Sequence, residues 1–94
     1  MFDVSALPGA ELVEQGLRDL ARGTHSASAL LVLIGAPRLR GLGIEVPATA
    51  PVPNPEHALY DLLAREDADS AHARYNALIR RLVSFERAAD LFGR

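Results

Sequence analysis

Apolar positions recur at spacings of three and four over most of this chain, and that pattern predicts helices. Over residues 9–22, Ala10, Leu12, Val13, Gly16, Leu17, Leu20 and Ala21 gather on one half of a helical wheel. Glu11, Gln15, Arg18, Asp19 and Arg22 fill the other half, and Glu14 precedes Arg18 at the spacing of a helix-surface ion pair. Gly16 sits on the apolar face, where a missing side chain lets a neighbouring helix come close. Gly23 fits a helix stop, and Thr24 or Ser26 can cap the next element. Residues 26–36 follow a different rule. Leu30-Leu31-Val32-Leu33-Ile34 has no polar interruption and no amphipathic period. Such a run is either a central strand or a helix covered on most sides. Val32 and Ile34 are its only β-branched residues, and no second strand-like segment exists to pair with it. A buried helix is therefore predicted. Pro37 should then restart the chain as a short helical turn, which Gly41 and Gly43 end.

Residues 47–55 read Pro-Ala-Thr-Ala-Pro-Val-Pro-Asn-Pro. Prolines at this density exclude helix and predict an extended connector over 44–54. A stiff spacer is the favoured reading over a ligand for a proline-recognition module. Asn54-Pro55-Glu56 then supplies an N-cap, a proline at the first helical position and an acid in the first turn. The resulting helix, 55–66, has Leu59, Leu62 and Leu63 on one stripe, with Asp61 and Arg65 paired opposite. Asp67 or Asp69 should cap a last helix over 70–91. Its apolar arc contains Ala71, Tyr75, Leu78, Ile79, Leu82, Val83, Phe85, Ala89 and Phe92. That arc spans roughly 180°, whereas packing on one neighbour needs about 100°.

The fold expected is all-α: a single domain over 1–94, built as a small four-helix bundle or as two packed helical hairpins joined by the Pro-rich connector. Leu17, Leu20, Leu31, Ile34, Leu62, Leu63, Leu78 and Leu82 should form its core. Ala27, Leu31 and Ile34 are spaced like Ala71, Tyr75 and Leu78, as two hairpins would give. The stretch from Glu66 to Leu78 is locally similar to the second half of a tetratricopeptide hairpin. The aromatic and glycine positions of that motif's first helix are absent, so no family follows from it.

Composition narrows the chemistry. The 94 residues include no Cys, which removes disulfides, zinc-thiolate sites and thiol nucleophiles. All ten basic residues are Arg, and the net charge is −2. That balance argues against a dedicated nucleic-acid binder, because phosphate contact would be opposed electrostatically. The start, Met1-Phe2-Asp3, has neither the positive charge nor the apolar stretch of a secretory signal. No apolar run approaches the roughly 20 residues of a membrane span. A cytoplasmic protein is expected, with no membrane partner and no cofactor.

Candidate sites are few. The glycines match no nucleotide fingerprint, and no Gly-x-Ser-x-Gly elbow exists. His25, His57 and His72 do not share a helical face, so no histidine metal pair is encoded locally. A metal site gathering His72, Glu66, Asp67 and Asp69 is outweighed by a solvated acidic cap. Arg18 with His25 and Arg65 with His72 repeat a spacing used by some small helical ribonucleases, at a frequency chance alone explains. Arg80 with Arg87, and Arg74 with Arg81, form pairs on the last helix, while Arg22, Arg38 and Arg40 could cluster elsewhere. Glu86 projects between Tyr75 and Ile79. His72, Tyr75 and Glu86 thus form one candidate polar cluster, with a rim position beside an Arg as the plainer reading of Glu86. Phe85, Ala89 and Phe92 form a candidate self-association surface. The expected function is a small non-enzymatic interaction or scaffold module, joined as a homodimer. A nucleic-acid-associated regulator using the Arg clusters ranks second, and a helical ribonuclease third.

Overall fold

A computed structural model describes residues 4–49 and 51–92. Four α-helices follow a short 3-10 turn at Val4–Ala6: α1 (Ala10–Ala21), α2 (Ala27–Gly41), α3 (Pro55–Glu66) and α4 (Ala71–Phe92). No strand occurs among the described residues, and 44–49 and 51–54 form the irregular connector. The N-terminal residues 1–3 and Ala50 of the connector lie outside the description.

The starts of α2 and α3 carry the caps their sequence implies. Ser26 Oγ accepts from the Ala29 amide at 3.1 Å, and Asn54 Oδ1 accepts from the His57 amide at 3.0 Å. Both are side-chain N-caps that satisfy a donor the helix cannot. The C-terminal ends of α1 and α2 share one design. Gly23 and Gly43 take positive φ, 74° and 88°. Gly23 N–H donates to the Leu20 carbonyl and Thr24 N–H to Asp19; likewise Gly43 donates to Arg40 and Ile44 to Leu39. These paired bonds are Schellman motifs, which need a residue tolerant of left-handed backbone.

Helix α2 is the centre of the structure and packs against α1, α3 and α4. Ala29, Leu30, Leu31, Val32, Gly35, Ala36 and Leu39 are all buried. This corrects one expectation: α2 does not stop before Pro37 but continues through it to Gly41. A proline inside a helix removes one backbone bond and costs about 3 kcal/mol. Burial of Leu39 beyond Pro37 offsets much of that cost, because its apolar side chain would face water if the helix broke.

Helix α1 crosses α2 at Gly16. A Cβ there would collide with the Ser28 carbonyl oxygen and would lie 2.5 Å from Val32 Cγ2. The close approach inferred for Gly16 is thus met by backbone on the facing helix. Helix α4 uses two neighbourhoods along its length. Near its start, Ala71 is buried and Tyr75 meets Tyr60 of α3 with ring centroids 5.8 Å apart. Further on, Phe85 lies beside Gly9 at the entrance to α1, and Leu82 lies on Gly35 of α2. Three helices of the same chain therefore share the wide apolar arc.

Of the expected core, Leu20, Leu31, Leu63 and Leu82 are buried, whereas Leu17, Ile34, Leu62 and Leu78 are half-buried. The largest fully buried side chain is Phe85. Two outcomes follow from this packing. Leu82→Ala should cost about 2–5 kcal/mol in urea denaturation; a change under about 0.5 kcal/mol would mean that α4 does not seat on Gly35. Gly16→Ala should cost about 1–3 kcal/mol through overpacking, overriding the roughly 1 kcal/mol by which alanine favours a helix. A neutral or stabilised variant would show a looser α1–α2 crossing.

Candidate functional site

The most heavily bonded polar side chain is Asp19, which sequence reading leaves on the polar half of α1. It is 6% exposed. Its Oδ1 accepts from Gln15 Nε2 at 2.8 Å and from Arg22 Nη2 at 2.7 Å, and its Oδ2 accepts from Ser26 Oγ at 2.5 Å. Ser26 is also the N-cap of α2, so one carboxylate ties the last turn of α1 to the first turn of α2. Chiefly the Ser26 bond, then those from Arg22 and Gln15, hold the Asp19 carboxyl below its ordinary value of 3.8, against the opposing effect of burial. Three hydrogen bonds from within the chain hold this carboxylate, which marks a structural group.

The proposed polar cluster of His72, Tyr75 and Glu86 does not assemble. All three lie on α4, and Glu86 is about 16 Å along the axis from Tyr75 at 1.5 Å per residue. Tyr75 packs on Tyr60, while His72 Nε2 stands 3.2 Å from Asn76 Nδ2. Glu86 is half-buried over Gly35, where a Cβ would approach its Oε2 to 3.0 Å. Loss of water there raises its pKa, and the charge of Arg38 on α2 pulls it back. Arg38 also reaches Asp90 at 3.8 Å. Glu86 is thus a rim carboxylate beside an arginine of another helix.

The self-association surface is also divided. Phe85 is 1% exposed and Ala89 is 3% exposed, both covered within the chain, whereas Phe92 is 63% exposed. An interface using Phe85 or Ala89 as placed is therefore closed to a second subunit. Leu91, beside Phe92, is 72% exposed and was not singled out by the sequence pattern, because it falls off the apolar arc.

The remaining candidates scatter. Asp67 closes the α3–α4 turn, accepting from the Asp69 amide at 3.1 Å and the Ser70 hydroxyl at 3.0 Å. Glu66 pairs with Arg74 at 2.9 Å. Among the described residues no three His, Asp or Glu side chains stand where they could hold a metal ion. Arg22 is bound to Asp19 near the start of α2, whereas Arg38 and Arg40 lie in its last turn. That separation, about 20 Å along the helix, prevents the cluster expected of these three. Arg18 donates to Gln15 rather than pairing with Glu14. Arg65 donates to the Asp61 backbone carbonyl, and the Asp61 carboxylate instead faces His57 at 3.2 Å. Arg81 pairs with Glu11, while Arg80 and Arg87 are exposed without an ion pair among the described residues. His25 borders the same cleft as Arg65, a combination that neither Arg–His spacing in the sequence picks out.

No family model matches this chain, and neither a curated protein nor a solved structure is significantly similar to it.

Asp19 generates a pH prediction. Its folded pKa is depressed, so the ionised carboxylate adds stability above the ordinary carboxylate value. That contribution is lost as pH falls through the lowered folded value. Asp19→Asn should therefore be less stable than the parent chain near neutrality, with the gap closing on acidification below about pH 4. Denaturant titrations at stepped pH measure this, and a gap independent of pH would remove the charge from the account.

Proposed function

We propose that this chain is a non-enzymatic helical interaction module that self-associates through the last turn of α4. The observation that carries the reading is the exposure of two large adjacent apolar side chains, Leu91 at 72% and Phe92 at 63%. The polar residues that could have carried chemistry support it: Asp19, Asp67 and Asn54 are engaged in closing turns and capping helices. A second copy is the favoured partner because a two-fold contact sets like against like. Neutral Leu91 and Phe92 tolerate that pairing. The exposed Arg80 and Arg87 face would set charge against charge.

The contact is small. Leu91 and Phe92 from two copies would bury on the order of 500 Å², about a third of what a specific stable interface uses. The dimer is accordingly weak and needs neighbouring surface to complete it. The exposed Arg80 and Arg87 keep a nucleic-acid-associated role as the second reading.

Sedimentation equilibrium from micromolar to millimolar concentration tests the proposal. The expected result is a mass rising from 10.1 kDa toward twice that value. Phe92→Glu should hold the chain at the monomer mass with its helix content unchanged. Phe85→Glu should instead unfold it. A concentration-independent monomer removes self-association, and RNA binding that weakens steeply with salt would favour the second reading.

A further inference from the structure

Helix α3 was expected to bury Leu62, yet that side chain is only half-buried. The reason is a cleft of about 270 Å³ between α3, the start of α2 and the connector. Its apolar wall is Leu30, Val52, Ala58 and Leu62, and its polar rim is His25, Asp61 and Arg65. An apolar cavity with a few polar groups converging on its mouth is the usual form of a small-molecule site.

The rim chemistry specifies the ligand. Arg65 uses only its Nε, at 3.4 Å from the Asp61 backbone carbonyl, which leaves the terminal guanidinium nitrogens available. His25 is steadied from the connector side, with Nε2 3.4 Å from Thr49 Oγ1. The one acid on the rim, Asp61, has its carboxylate turned to His57 Nε2 of its own helix at 3.2 Å. Arg65 supplies the permanent positive charge of the rim. We infer that this cleft binds a small molecule with an apolar body and a single anionic group, a carboxylate or a phosphate monoester. The body lies on Leu30, Val52 and Leu62. The anion reaches Arg65 in forked geometry, with His25 as a second donor.

Amide chemical-shift titrations of the full chain test this, using phenylacetate and phenyl phosphate as probes. Benzyl alcohol controls for the apolar body and inorganic phosphate for the anion. Saturable shifts are expected at His25, Leu30, Leu62 and Arg65 with at least one anionic aromatic probe, and weaker binding with both controls. The preferred aromatic anion distinguishes carboxylate from phosphate monoester. Arg65→Gln should weaken binding by about tenfold, the usual effect of losing one charge-assisted bond. Arg87→Gln, remote from the cleft, should leave binding unchanged. Both positions are exposed, so unchanged circular dichroism will confirm that the variants fold. Absence of saturable shifts with both anionic probes overturns the inference. So does equal binding of benzyl alcohol, or an Arg65→Gln variant that binds like the parent chain.

Discussion

A helix with no polar side chain over two turns must be covered by its neighbours, and α2 is such a helix. Its run from Ala29 to Ala36 is wholly apolar, so the other helices are arranged by the need to enclose it. Helix α1 covers one side at the Gly16 crossing, α3 another, and the second half of α4 seats on Gly35. The same constraint explains why α2 tolerates Pro37. Ending the helix there would expose Leu39, which is fully buried. The two glycines mark where enclosure is tightest. At Gly16 backbone meets backbone, and at Gly35 the neighbour is the flexible end of Leu82 beside Glu86.

So apolar a helix also needs its termini settled, and the residues that flank it do this. The Asp19 knot performs that task at one end. Ser26 caps α2 with its acceptor lone pair and binds Asp19 with its proton, so the cap and the interhelix link are one residue. A buried carboxylate is costly unless its acceptor sites are filled. Here Gln15, Arg22 and Ser26 donate to both oxygens, and every buried side-chain polar atom among the described residues has a partner. At the other end, Gly43 and the Ile44 amide close α2 by backbone alone, as Gly23 and Thr24 close α1.

The helices and their caps were legible because they are local. Gly23, Ser26, Asn54 and Pro55 act within one turn, and the Gly16 contact needs only that its apolar face meets something. Asp19 was hidden because an acid among Gln15, Arg18 and Arg22 reads as a solvated face. Its burial comes from the α1–α2 turn folding Ser26 back over it, seven residues away. Leu62 was misplaced for the complementary reason: it stands on the apolar stripe, but the connector does not close over it. The polar cluster on α4 failed because a helical wheel projects Tyr75 and Glu86 together and discards the three turns between them.

The wide arc of α4 exposes a further ambiguity in helical wheels. Seam-like spacing from Tyr75 through Phe92 fits a coiled coil between copies. It fits equally a helix that passes from one internal neighbour to another along its length. The width of the arc then records a change of neighbour rather than a second partner at every level. In α4 the first half faces α3, and the second half faces α1 and α2. The large apolar side chains of α4 that stay exposed, Leu91 and Phe92, lie where those neighbours end. An apolar association through those two side chains alone would be of small area, dependent on concentration and separable from folding.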